Sequence, residues 1–230
     1  YNLKEYLIAI ENYEKFRFIN GAILAKEFQD LDFHIAYSYF EKSNPHNIYK
    51  GNAQKVQKEE LNNSLKYFRN YIHQPNIIDS NNYKIAFLRI ADAYFLLKKD
   101  SLAIENYELS IKVGNYDHSY ALNQMATSQG LIQDYEGKIN TLKKLTDQYP
   151  NSKYQVSSLL NLAQAFKDES RNEESIKTYL KFINDYPSNN LISRANVELG
   201  SIYLKEKNYD EAKKYLIKVL DDYPDAEEEN

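Results

Sequence analysis

Four side chains could carry protons or bind a metal near neutral pH: His34, His46, His73 and His118. A helical zinc site sets two histidines at i and i+4, and no pair here has that spacing or a clustered acidic partner. His34 falls where it should pack within a helix pair, and the other three read as loop or helix-end residues. The chain has no cysteine, which removes thiolate ligands, disulfides and cysteine nucleophiles together. The acidic pairs Glu59–Glu60, Glu173–Glu174 and Asp221–Asp222 are adjacent in sequence. Adjacent helical residues diverge by about 100°, so these carboxylates would not converge on a substrate as acid and base. The six glycines form neither a G-x-G-x-x-G nor a P-loop pattern. No serine is matched in sequence to a histidine and an acid. The expectation is a non-enzymatic protein with no catalytic residue, metal or cofactor.

Composition narrows the partners. The 230 residues are 43% apolar, enough for a core, and carry a net charge of −4 with interspersed signs. A nucleic-acid binder needs a basic stripe to neutralise phosphates, and none is visible. The last ten residues hold Asp221, Asp222, Asp225, Glu227, Glu228 and Glu229 without a base, which reads as a solvated end. No apolar run approaches the roughly 20 residues of a membrane span. The segment opens on Tyr1 with no signal-peptide pattern, so any targeting signal is expected outside it, in a longer parent. Asn62-x-Ser64 is a formal glycosylation sequon, but its place on an expected helix makes it a chance match.

What remains is spacing. Pro150, Pro187 and Pro224 stand 37 residues apart, each after a tyrosine, and such a period marks stacked supersecondary units. Ala212, Tyr215, Leu216, Val219 and Leu220 form an apolar helical stripe, and Ala195, Leu199, Ile202 and Tyr203 form another before it. The short polar stretch 205–210 between them requires an antiparallel pair. Small residues at Gly200 and Ala212 allow close approach of the two backbones. Tyr13, Tyr39, Tyr94, Tyr107, Tyr135, Tyr179, Tyr203 and Tyr209 recur at expected core positions, which accounts for much of a content of 22 tyrosines. The same skeleton appears at Leu162, Ala163, Phe166, Ser175, Tyr179 and Phe182, and again at Met125, Ala126, Tyr135, Leu142 and Leu145. An earlier block has Ile90, Ala91, Tyr94, Ala103 and Tyr107.

Leu199, Gly200, Tyr203, Ala212 and Pro224 resemble the tetratricopeptide repeat, although Asn196 stands where that family has its first aromatic residue. The resemblance implies an all-α fold: antiparallel helix pairs stacked in a right-handed superhelix, a TPR solenoid over residues 1–230. The expected units are 1–20 (partial), 21–76, 81–115, 118–150, 155–187 and 192–224, with 225–230 opening a further helix. The six residues from Ala9 to Glu14 recur word for word from Ala103 to Glu108, so the chain should begin within the second helix of a pair. Ala36 to Ser64 is 28 residues where Gly200 to Ala212 is 12, which points to an insertion of 16 at 43–58. Its turn signals are Asn44, Pro45, Gly51 and Asn52.

In such arrays the first helix of each pair lines a concave groove that receives a protein or peptide partner. Carried over by register, the groove residues are Tyr37, Phe40, Asp92, Phe95, Tyr120, Asn123, Thr127, Gln164, Lys167, Arg194 and Ser201, together with Phe33, Leu88, Leu160 and Val197. The family's carboxylate clamp is disfavoured: Asn161 and Arg194 could serve, but Asn123 and Thr127 stand in the first places and Glu198 replaces a base. The Tyr-Pro segments at 148–154 and 185–188 resemble bacterial envelope members of the family. That resemblance implies a periplasmic or outer-membrane-associated scaffold for outer-membrane assembly, the Tol–Pal system or export. Two other readings stay open: a cytoplasmic regulatory module of a signalling protein, and an accessory domain with a substrate site in the groove.

Overall fold

The computed structural model describes residues 3–24, 26–44, 53–75, 77, 80–114 and 117–222. Among them all regular structure is helical: α1 (Leu3–Arg17), α2 (Leu31–Lys42), α3 (Ala53–Ile72), α4 (Asn81–Leu96), α5 (Asp100–Lys112), α6 (His118–Leu131), α7 (Tyr135–Gln148), α8 (Gln155–Asp168), α9 (Asn172–Asp185), α10 (Ile192–Lys205) and α11 (Tyr209–Asp222). Two turns of 3-10 helix, Ala22–Leu24 and Lys26–Phe28, lead from α1 to α2. The chain divides into two compact units, residues 1–132 and 133–230. In the first, α1 to α6 each pack on the next helix, and α2 also reaches α4. In the second, α7 to α11 pack in the same serial way.

Local chemistry sets this pattern. Four of the first helices carry a buried small residue at the crossing: Ala36 on α2, Ala91 on α4, Ala163 on α8 and Gly200 on α10. The second helix answers with Ser64, Ala103, Ser175 or Ala212, all buried. Ser175 Oγ donates to the Ala163 carbonyl at 2.8 Å, which shows how near the two backbones lie. At Gly200 an added Cβ would stand 2.5 Å from Leu216 Cγ, so the glycine makes room for that leucine. Tyr107, Tyr179 and Phe182 fill the spaces beside these crossings and are almost fully buried.

The turns inside the pairs close in one way. Lys98, Gln133, Ser170 and Lys207 adopt left-handed φ values of 56°, 62°, 58° and 60°. After Lys98, Ser170 and Lys207 the next residue donates back into the finished helix: Lys99 N–H to the Tyr94 carbonyl at 2.9 Å, Arg171 to Phe166 and Asn208 to Tyr203 at 2.8 Å. This satisfies carbonyls that the last helical turn would leave open. At helix starts, Ser80 Oγ accepts from the Tyr83 N–H (3.1 Å), and Asp117 and Asp134 cap Tyr120 and Gly137.

Four sequence expectations change or sharpen. The insertion at 43–58 is not all loop: α3 starts at Ala53 and runs 20 residues, against 14 for α7, α9 and α11. Much of the described excess is therefore helix, and Lys42 at the end of α2 is tied to buried Glu60 by a 2.6 Å ion pair. Pro45, Gly51 and Asn52 lie outside the described residues, as do Pro224 and 225–230. Tyr209 is exposed at 65%, because it opens α11 a turn before the buried stripe begins at Ala212. Leu220, at the far end of the same stripe, is also exposed, at 53%. His34 stacks on Tyr13 of α1 at 5.5 Å while its edge stays in solvent.

Candidate functional site

In the first unit, first helices α2, α4 and α6 bring together Tyr37, Phe40, Asp92 and Tyr120 through Arg89 and Asp92. Arg89 lies one helical turn before Asp92 on α4, and its NH1 donates to Asp92 Oδ2 at 2.6 Å. Its guanidinium sits 5.5 Å from the Phe40 ring centroid and 5.9 Å from that of Tyr37. Such placement attracts the cation to the ring faces and holds two aromatic side chains of α2 against α4. Phe33 adds a tilted contact to Tyr37 at 5.9 Å.

Asp92 is the anchor of the cluster. It is only 4% exposed, and its Oδ1 accepts from Tyr107 (2.8 Å) and Tyr120 (2.9 Å). Burial raises the Asp92 carboxyl above the usual carboxylate range, opposed by Arg89 and the hydroxyl donors. Tyr107 is pushed far up, by burial first and by the neighbouring Asp92 second. Tyr37 is raised by burial against the pull of Arg89. Tyr107 thus stays protonated as a donor, and the Tyr120 hydroxyl donates to the same carboxylate oxygen, which fixes Tyr120 of α6 to α4. Asp92 itself is interior; the half-exposed rings of Tyr37, Phe40 and Tyr120 are what this cluster offers to solvent. Phe95, one turn beyond Asp92, is half-buried.

Further along α6, Thr127 Oγ1 returns to the Asn123 carbonyl and Asn123 donates to Gln124. In the second unit, Lys167 of α8 donates to Glu198 (2.6 Å) and Ser201 (3.2 Å) of α10, so the first helices are again cross-linked on one face. Gln164 accepts from Tyr179 (3.3 Å) and donates to Asp168 (2.7 Å). Arg194 is exposed. Glu198 is thus a partner of Lys167 rather than a gap in a carboxylate clamp. Phe33, Leu88 and Leu160, expected to line the groove, are core residues at 6%, 1% and 5% exposure; Val197 is exposed.

Arg89 and Tyr107 complete the cluster without having been marked as groove residues. The i, i+3 spacing of Arg89 and Asp92 was the available signal for the first. Among the described residues no group of histidines and acids could hold a metal ion, and no helix is long and apolar enough to cross a membrane.

Three stretches match known repeat models. Residues 120–152 and 157–189 match one tetratricopeptide repeat model, and 193–225 match another. No curated protein sequence matches the chain. Among solved structures, a MamA protein is similar at 16% identity over 85% of this chain and 95% of its own, with a TM-score of 0.60. MamA from Desulfovibrio magneticus RS-1 is similar at 14% identity over 81% and 93%, TM-score 0.56. BtubC from P. vanneervenii is similar at 11% identity over 95% and 88%, TM-score 0.57. At these identities the likeness carries the helix-pair fold.

Proposed function

We propose that the chain is a non-enzymatic scaffold that binds a protein or peptide partner on the first-helix face of each of its two units. One observation carries this reading: of the residues picked by repeat register alone, Tyr37 and Phe40 of α2 pack on Arg89 of α4, and its partner Asp92 also accepts from Tyr120 of α6, so three first helices are joined. A face of fixed aromatic rings is what a partner can use at low entropic cost. The test is a pull-down with the segment and with Phe40→Ala and Arg194→Glu variants, followed by direct binding to the recovered partner. Both substitutions should weaken binding at least about tenfold, roughly 1.4 kcal/mol. Unchanged affinity in both, with melting curves intact, would overturn the assignment of this face.

For the setting we favour the bacterial envelope, periplasmic or outer-membrane-associated, in an assembly or export complex. The support is the Tyr-Pro segments at 148–154 and 185–188. Recovery of the full-length parent in the cytosolic fraction would sink this setting and favour a cytoplasmic regulatory module, while leaving the binding face untouched.

A further inference from the structure

A cleft of about 310 Å³ opens on a different side of the second unit. Its walls are the second helices α7 and α9, through Lys143, Thr146 and Asp147 on one side and Glu174, Lys177, Thr178 and Lys181 on the other. Its floor is apolar but narrow: Leu159, Leu162 and Phe166 of α8 are 2%, 5% and 3% exposed, and Arg171 as well as Lys143 lies over the Phe166 ring. Leu162 and Gln164 lie two residues apart, about 200° around α8, so this floor faces away from the partner-binding face proposed above.

The charges in the cleft are unequal. Glu174 is held by Arg171, whose Nε and NH2 donate to it at 2.9 and 2.6 Å. Asp147 is the remaining carboxylate of the lining. Against it stand Lys143, Lys177 and Lys181. Lys143 Nζ lies 5.1 Å from the Phe166 ring centroid, and Lys177 and Lys181 are exposed with no carboxylate partner among the described residues. The wall hydroxyls of Thr146 and Thr178 are spent on carbonyls of their own helices. A cationic rim over an apolar floor, in a chain of net charge −4, selects a ligand of opposite charge with an apolar group to bury.

We propose that this cleft is a second docking site and that it takes an acidic peptide segment of a partner. The segment seats a leucine-sized or aromatic side chain on Leu159, Leu162 and Phe166 and sets its carboxylates against Lys143, Lys177 and Lys181.

The probe is a short fluorescein-labelled peptide of glutamates interspersed with leucine, followed by anisotropy against the whole chain. Saturable binding is expected, with the labelled methyl and ring signals of Leu162 and Phe166 shifting in NMR spectra of the unmodified protein. Changing Lys177→Glu and Lys181→Glu together should weaken binding at least about tenfold, as should replacing the leucines of the peptide by serine. Both lysines are solvent-exposed, and thermal melts verify that the variant folds. Lys213→Glu on α11, outside the cleft, should leave affinity unchanged. The proposal is overturned if the peptide does not bind, or if Leu162 and Phe166 do not shift. It also falls if Lys213→Glu weakens binding equally, or if the serine peptide or an oligouridylate binds as well, since bulk charge would then explain the attraction.

Discussion

At the scale of single residues, two buried polar side chains make opposite predictions. Asp92 accepts from two phenols and a guanidinium, so Asp92→Ala would remove the acceptor shared by Tyr107, Tyr120 and Arg89 and cost about 2–3 kcal/mol. Asp92→Asn keeps an oxygen for Tyr107 and Tyr120 and should cost less. The pH dependence follows from the raised carboxyl. Between the ordinary carboxylate pKa and the raised folded value, the native state binds more protons than the unfolded one. Stability from this group is therefore full at low pH and lost as pH rises through that window. In paired urea titrations the wild type should lose stability relative to Asp92→Asn as pH rises, and a parallel pair of curves would refute the shift. Asn196 runs the other way. It is 2% exposed with Oδ1 lacking a hydrogen-bond partner, at the place where the preceding blocks carry buried Leu159 and Leu122. Leucine has the same number of side-chain heavy atoms, so Asn196→Leu should raise stability by about 1–2 kcal/mol, seen as a higher urea midpoint at constant m. The sequence showed Asn196 as a departure from the repeat. It could not show Asp92 as interior, because its acceptors' partners Tyr107 and Tyr120 lie 15 and 28 positions away.

At the scale of elements, the pair-closing turns are built on non-glycine residues in a left-handed conformation. That conformation crowds Cβ and costs about 1 kcal/mol relative to glycine. Lys98→Gly, Ser170→Gly and Lys207→Gly are each expected to gain up to about 1 kcal/mol in chemical denaturation, since all three side chains are exposed. A β-branched residue at the same places should lose a similar amount. Loss of stability in the glycine variants would mean that the side chains, not the backbone, hold these turns. The helices themselves were legible because their buried faces repeat with a helical period and their crossings carry Ala or Gly at a fixed spacing. The length of α3 was not. The Asn44–Pro45 and Gly51–Asn52 signals mark turns, but nothing in them fixes where the helix resumes, and Gln54, Lys55, Gln57 and Lys58 suit an exposed helix as well as a loop.

At the scale of the whole molecule, a serial stack predicts stability that varies along the chain, because each helix is held by its chain neighbours. The chain contains its own control. The six residues from Ala9 to Glu14 and from Ala103 to Glu108 are identical, so local sequence gives nearly the same intrinsic exchange chemistry in both copies. Their surroundings differ. In α5, Ala103 and Tyr107 are fully buried, with α4 packed on one side and α6 on the other. In α1, the matching Ala9 and Tyr13 are half-exposed, Leu7 and Ile8 stand 41% and 48% exposed beside them, and α2 is the helix that covers this segment. Any difference in protection between the copies is therefore tertiary in origin. Native-state hydrogen exchange should find the amides of 9–14 opening at least about tenfold more readily than those of 103–108, a gap of roughly 1.4 kcal/mol. Equal protection in the two copies would mean that the unit containing them opens only as a whole, and that neighbour packing does not set stability within it.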